Sequence, residues 1–159
     1  MNDARPGTYV LALVAPAAQT CMVGRLGTVT LVPGYYLYVG SAFGPGGVRA
    51  RVRRHLRRDR RRHWHLDYLG EALTAIEAWY THDVTRREHE FAAMLAGRRE
   101  LRGVAGFGCS DCACATHLFV SHTRPRPGSV LRRYGGTVSV CTLAVGDAVT
   151  GTVMPARTC

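Results

Sequence analysis

Lysine is absent from this 159-residue chain; every one of its 21 basic residues is arginine, set against 11 acidic residues. A Walker phosphate loop needs G-K-[ST], and Schiff-base catalysis normally needs a lysine amine, so neither chemistry is available from these side chains. No stretch approaches the about 18 consecutive apolar residues of a membrane span. The opening MNDARPG lacks the pattern of a signal peptide. The expected location is therefore cytoplasmic, with no membrane partner. Gly40, Gly44, Gly46 and Gly47 do not have G-x-G-x-x-G spacing, which removes a dinucleotide-binding reading. Six cysteines in a reducing compartment read as thiols or metal ligands more readily than as a disulfide framework.

What is present is positive charge, a formal +10 at neutral pH. Arginine offers a planar, permanently charged fork that grips phosphate bidentately, so an anionic polymer is the natural partner. A GC-rich genome accounts for arginine in place of lysine but not for the excess of positive charge. The length suits one domain, expected over residues 1–122, with a C-terminal extension over 123–159 packed on it.

The chain is organised around Gly34 to Leu56, GYYLYVGSAFGPGGVRARVRRHL. Tyr35, Tyr36, Tyr38 and Val39 suit a strand, which the cluster Gly44, Pro45, Gly46 and Gly47 must end. Val48, Val52 and Leu56 then recur every four residues and predict a helix with one stripe toward the core. Arg51 and His55 lie one turn apart on the edge of that stripe. Beside tyrosines of the preceding strand, a guanidinium and an imidazole there make a site for a phosphate diester. The plain alternative is a solvated arginine face.

Between positions 49 and 62 arginine occupies 49, 51, 53, 54, 57, 58, 60, 61 and 62, opposed only by Asp59. Arg49, Arg53, Arg54, Arg57, Arg58, Arg61 and Arg62 are the expected nucleic-acid contacts, with His63 and His65 as catalytic or phosphate-contacting candidates. Continued as a helix, HWHLDYL puts His63 with Asp67 on one face and Trp64 with Tyr68, both expected in the core, on the next. Gly7 to Val14, Cys21 to Val32, Ala72 to Tyr80 and His117 to His122 read as β segments, an antiparallel sheet covered by the arginine helix. Thr85 followed by Glu88 fits a capping box opening a helix with Phe91, Met94 and Leu95. Glu88, with Glu90 as alternate, could supply a carboxylate for a hard divalent cation.

Cys109, Cys112, Cys114 and His117 give C-x2-C-x-C-x2-H, enough soft ligands for a zinc or iron site. An inert or redox-prone thiol cluster is the competing reading, as is a turn capped by Asp111 and Cys112. The RPRPG segment after Thr123 reads as a linker, and Val130 to Cys159 holds short β runs such as Thr137 to Val145.

Taken together, Gly7-Thr8-Tyr9, Tyr38-Val39-Gly40-Ser41-Ala42, Arg51-x-x-x-His55, the HWHLDYL run and Glu88 resemble the GIY-YIG endonuclease superfamily, in particular its small prokaryotic Uri-type branch. The resemblance runs from about residue 7 to about residue 120. It implies an α/β (α+β) domain with a central three-stranded antiparallel sheet flanked by helices, here with additional C-terminal β segments. It also implies an endonuclease that hydrolyses nucleic-acid phosphodiesters with Mg2+ or Mn2+, DNA before RNA, with Tyr9, Tyr38, Arg51, His55 and Glu88 at the matching positions and Glu88 on the metal. Fusion of some relatives to endonuclease III points to repair. The first motif reads GTY, and the interval from Tyr9 to Tyr38 exceeds the family's short hairpin, an extra β segment with Gly24 and Gly27 filling it. The late asparagine of many members is missing, since Asn2 is the only one.

Phosphodiester hydrolysis needs a base for the attacking water, charge against the nonbridging oxygens, and neutralisation of the leaving oxygen. Arg51 suits the second need. Tyr9 or His55 would accept the proton, Tyr9 on family grounds, with Arg51 and a metal favouring the phenolate. A noncatalytic nucleic-acid-binding module, or a zinc or thiol-redox protein centred on Cys109 to His117, are the other functional classes. The nuclease reading requires Arg51 and Glu88 to reach one hollow.

Overall fold

A computed structural model describes residues 4–57 and 61–143. Arg58, Asp59, Arg60 and the final part of the C-terminal extension, residues 144–159, lie outside the described residues. The fold is α+β, built on a large antiparallel sheet with helices on both faces.

Strand β1 (Gly7–Ala15) is the centre of that sheet. Its near-continuous apolar sequence follows from burial on both faces. Tyr9, Leu11, Leu13 and Ala15 enter one hydrophobic cluster and Val10 and Ala12 the other, the period of two that a pleated strand imposes. Strand β4 (Gly34–Ala42) pairs along one edge, Gly7 opposite Ala42 through Ala15 opposite Gly34. Strand β5 (Thr74–Thr81) pairs along the other, with a register shift between Ala12 and Leu13. These three are the expected core. Beyond β4 come β7 (Leu118–Ser121) and the two-residue β6 (Arg102–Gly103), and beyond β5 comes β8 (Ser139–Thr142). Among the described residues the sheet thus has six strands, the added ones lying at both edges of the three-stranded centre. The long interval between Tyr9 and Tyr38 holds a separate hairpin, β2 (Gln19–Val23) with β3 (Gly27–Leu31), which leaves the β1–β4 pairing intact.

Helix α1 (Gly47–Leu56) packs on the Tyr9 face through Val48 and Val52, both fully buried, with Leu56 partly so. Gly47 opens it at φ 55°, and a Cβ there would sit 2.0 Å from the Arg5 carbonyl oxygen, so only glycine fits. Helix α2 (Glu88–Ala96) covers the opposite face through Phe91 and Leu95.

Three expectations about local structure fail. Thr85 does not cap α2: its own N–H donates to Asp83 Oδ1 at 2.8 Å in a local turn, and the helix starts after Arg87 with no side-chain cap. Nor does HWHLDYL continue α1. After the helix ends at Leu56, only His65–Leu69 forms a 3-10 helix, and Asp67 reaches back to accept from the N–H groups of His63 and Trp64, both at 2.9 Å. Finally, RPRPG is not a free linker. It runs into the short α3 (Pro127–Val130), and Val130 and Leu131 bury against the α2 side of the sheet. No helix among the described residues is long and apolar enough to cross a membrane.

Candidate active site and its cationic flank

Tyr9 on β1 and Tyr38 on β4 project to the α1 side, with ring centroids 6.5 Å apart. His55, on the last turn of α1, closes the triangle at 6.0 Å from Tyr9 and 5.8 Å from Tyr38. Tyr9 Oη lies 2.9 Å from His55 Nε2. Gly40, opposite Tyr9, makes room for the phenol: a Cβ there would stand 2.5 Å from the Tyr9 oxygen. Behind His55 sits Asp67, whose Oδ1 is 3.6 Å from Nδ1. The Asp67 carboxylate thus faces Nδ1, while Nε2 is the ring nitrogen at the Tyr9 hydroxyl. Asp67 is anchored in turn by Arg54, whose Nη1 donates to both oxygens at 3.2 and 3.0 Å, and by two backbone N–H groups. The result is a buried line from Asp67 through His55 to Tyr9.

Burial, then the neighbouring Tyr38, raises the Tyr9 pKa well above that of a free phenol; Arg51 pulls it down but does not prevail. Burial and then Glu88 raise Tyr38 likewise, again against Arg51. Arg51 does act toward a Tyr9 phenolate, as expected, but desolvation outweighs the one guanidinium and both phenols are neutral. Arg51 itself rests over the Trp64 ring, its guanidinium carbon 4.7 Å from the centroid.

Glu88 arrives from the other side. Its helix packs on the opposite face from α1, yet as the first residue of α2 it lies beside the end of β4, where Ser41 Oγ donates to its Oε2. Arg51 and Glu88 act electrostatically on the same two phenols although their helices are on opposite faces. His117 Nδ1 stands 3.1 Å from Glu88 Oε1. Burial opposes the charged form of Glu88, but the nearby His117 and the Ser41 hydroxyl outweigh it and hold the carboxyl below its ordinary range. An ionised, partly buried carboxylate suits a hard cation that completes its shell with water and phosphate oxygens. Glu90, the alternate, pairs with Arg87 at 3.0 Å, and Arg87 also holds Asp83.

The cationic run divides by role. Arg53, Arg57, Arg61, Arg62 and His63 are exposed and Arg49 is half-buried. Arg54 is turned inward to Asp67 and to the Arg61 carbonyl. Arg62 lies over Tyr68 and His63 meets Trp64 edge-on. His65 accepts from the Gly108 N–H at 2.9 Å and packs against Phe107, and burial lowers its pKa, so it is neutral and holds a loop in place.

That loop carries the cysteines. Cys112 Sγ is 3.5 Å from His117 Nε2. The ligand atoms of Cys109, Cys112 and His117 lie within 4.8 Å of one another, as do those of His89, Cys112 and Cys114, so this Cys/His cluster could bind a metal. Burial, then Cys112, pushes the Cys109 thiol up to about 12, and burial raises Cys114 too. Without a metal these are protonated thiols with little nucleophilic character.

From the sequence, Asp67 is paired with His63 and Ser41 falls within a motif, neither with a role at the site, and His89 is not singled out. Asp67 in HWHLDYL was visible as a polar residue between aromatics, which is a usable signal; Ser41 and His89 gain significance only by tertiary proximity. The comparison with curated proteins returns no match, and neither does that with solved structures. Residues 8–138, from β1 through α3, match the family model described as Domain of unknown function DUF123, and the chain belongs to that family.

Proposed function

We propose that the chain is a divalent-metal-dependent endonuclease of GIY-YIG type, a hydrolase of nucleic-acid phosphodiesters that prefers DNA to RNA, with a role in repair. The observation that carries this reading is the Asp67, His55, Tyr9 line ending beside Tyr38, with Arg51 and Glu88 acting on the same phenols. Tyr9, neutral because it is buried, gives its proton to His55 Nε2 as it takes one from the attacking water, and Asp67 stabilises the imidazolium that forms. Arg51 supplies guanidinium donors to the nonbridging oxygens, and Tyr38 an O–H. Glu88 would hold Mg2+ or Mn2+, which when bound supplies positive charge against the developing charge on phosphate and leaving oxygen. The exposed arginines hold flanking phosphates without reading sequence.

Supercoiled, branched and single-stranded DNA and RNA, incubated with Mg2+, Mn2+ or chelator, test the reading. The expected result is metal-dependent cleavage of DNA, reduced roughly 10²-fold or more by Arg51→Ala and by Glu88→Gln. Undiminished cleavage in both variants overturns the assignment. A noncatalytic nucleic-acid-binding module is a second reading, favoured by the engagement of both Glu88 oxygens with protein donors. It predicts tight binding with no metal-stimulated cleavage. The cysteine cluster favours a third class, a zinc or thiol-redox protein, and zinc is the ion that donor set suits.

A further inference from the structure

We propose that Cys109, Cys112, Cys114 and His117 form one tetrahedral zinc site, and that its histidine ligand is oriented through the far side of its ring by Glu88. Cys112 is the hub. It belongs to both clusters of potential ligands and touches Cys109, Cys114 and His117. A nitrogen and a sulfur on one tetrahedral zinc, with bonds of about 2.05 and about 2.3 Å, lie about 3.6 Å apart. The Cys112 to His117 Nε2 separation is 3.5 Å. The same 3.5 Å is that of a hydrogen bond between the thiol and Nε2, which zinc would replace with the loss of the thiol proton.

The frame of the loop holds without any ion. The Gly106 N–H donates to the Ala115 carbonyl at 2.9 Å, the His117 N–H to the Phe107 carbonyl at 2.7 Å, and the Gly108 N–H to His65. The ligands are thus brought together by backbone hydrogen bonds, which limits the ordering cost of binding. His117 is buried, and its Nδ1 faces the Glu88 carboxylate at 3.1 Å. With zinc on Nε2 the ring proton must sit on Nδ1, on the side of that carboxylate, the usual support given to a zinc-bound imidazole. The fourth ligand must close in on the Cys109, Cys112 and His117 set, because Cys114 and the exposed His89 both cluster with Cys112 but neither lies within 4.8 Å of all three; Cys114 is preferred because it shares their loop.

Binding forms three Zn–S bonds and one Zn–N bond and releases up to three thiol protons to solvent. Three thiolates select a soft or borderline ion over Mg2+ or Ca2+. Zinc here would hold His117, and through it the Glu88 carboxylate, in one position. The inference does not depend on nuclease activity, because every readout below is metal binding.

The full-length protein, purified without added metal, is weighed by mass spectrometry under native and denaturing conditions, then exchanged with Co2+. One zinc per chain under native conditions and intense tetrahedral thiolate cobalt absorption are expected. Cys112→Ser should abolish both, and His89→Ala should change neither. Glu88→Gln should keep the stoichiometry but weaken zinc affinity roughly 10- to 100-fold, an effect that a merely structural carboxylate would not produce. If Cys112→Ser does not fold, the cobalt spectrum of the unsubstituted protein decides. A weak octahedral spectrum, with thiols that react at one rate with or without Zn2+, would overturn the proposal.

Discussion

Asp67→Ala removes the residue on which the candidate site leans. The Asp67 side chain is 0% exposed, receives Arg54 Nη1 at 3.2 and 3.0 Å and two N–H groups at 2.9 Å, and faces His55 at 3.6 Å. Taking one partner from a buried ion pair costs about 3–5 kcal/mol. The Arg54 side chain is 32% exposed, so water re-solvates part of the charge left behind and the lower end applies, about 3 kcal/mol. For a domain of this size that lowers Tm by about 6–12 °C. The converse variant, Arg54→Met, leaves its charge where water does not reach and should destabilise at least as much. Arg54→Met with Asp67→Leu leaves neither charge stranded and should be less destabilised than the sum of its parts. Urea and thermal unfolding at neutral pH, followed by circular dichroism, measure all of these. A loss below about 1 kcal/mol for Asp67→Ala, or strict additivity in the pair, would refute the buried-hub reasoning.

Gly40→Ala sets a Cβ 2.5 Å from the Tyr9 oxygen and 2.6 Å from Cζ, and Tyr9 is buried, so overpacking should cost about 1–3 kcal/mol in urea unfolding. Adding Tyr9→Phe should relieve only part, because the ring carbon remains; wild-type stability of Gly40→Ala counts against the close approach. On duplex DNA, Arg53→Ala should reduce the slope of log affinity against log salt by about 0.9, and His65→Ala should leave it unchanged, His65 being neutral and turned to Gly108. Titrations at several salt concentrations check both. The Glu88 pKa is depressed in the folded state, so its stabilising contribution is present above the unfolded carboxylate range and lost as pH falls through the folded value. The unfolding midpoints of Glu88→Gln and wild type should therefore differ near neutral pH and converge on acidification below about pH 4.

The sequence discloses those parts of the fold that depend on periodicity. The unbroken apolar run of β1 and the four-residue stripe of Val48 and Val52 both appear as read, because a two-sided strand and a core-facing helix each repeat one environment. What failed were the boundaries decided by competing polar side chains. Asp83 takes the Thr85 N–H, and Asp67 takes two N–H groups that a helix would have used, and neither preference shows in an apolar pattern. The same division holds at the site. Arg51 and His55 could be grouped with the tyrosines of β4 because a strand and the helix edge after it are read together, whereas Tyr9 joined them through the family resemblance. The links from Glu88 to Ser41 and to His117 join separate elements, and only packing reveals them.

Charge balance at the site bears on why the proposed reaction would need a divalent ion. Arg51 and Arg54 set two positive charges against the negative charges of Glu88 and Asp67, and Arg54 is already spent on Asp67. These four charges cancel, so a scissile phosphate entering this partly buried place would add one negative charge that they do not compensate. Burial keeps both phenols neutral, so they add donors without adding charge. A divalent cation on Glu88 would supply the positive charge that offsets that deficit. The exposed arginines of α1 and of residues 61 and 62 would hold neighbouring phosphates whether or not the ion is bound. Chelation should therefore abolish cleavage and leave DNA affinity nearly unchanged. An equal loss of both would place the ion's main role in binding and remove the electrostatic reason for assigning it to the chemical step.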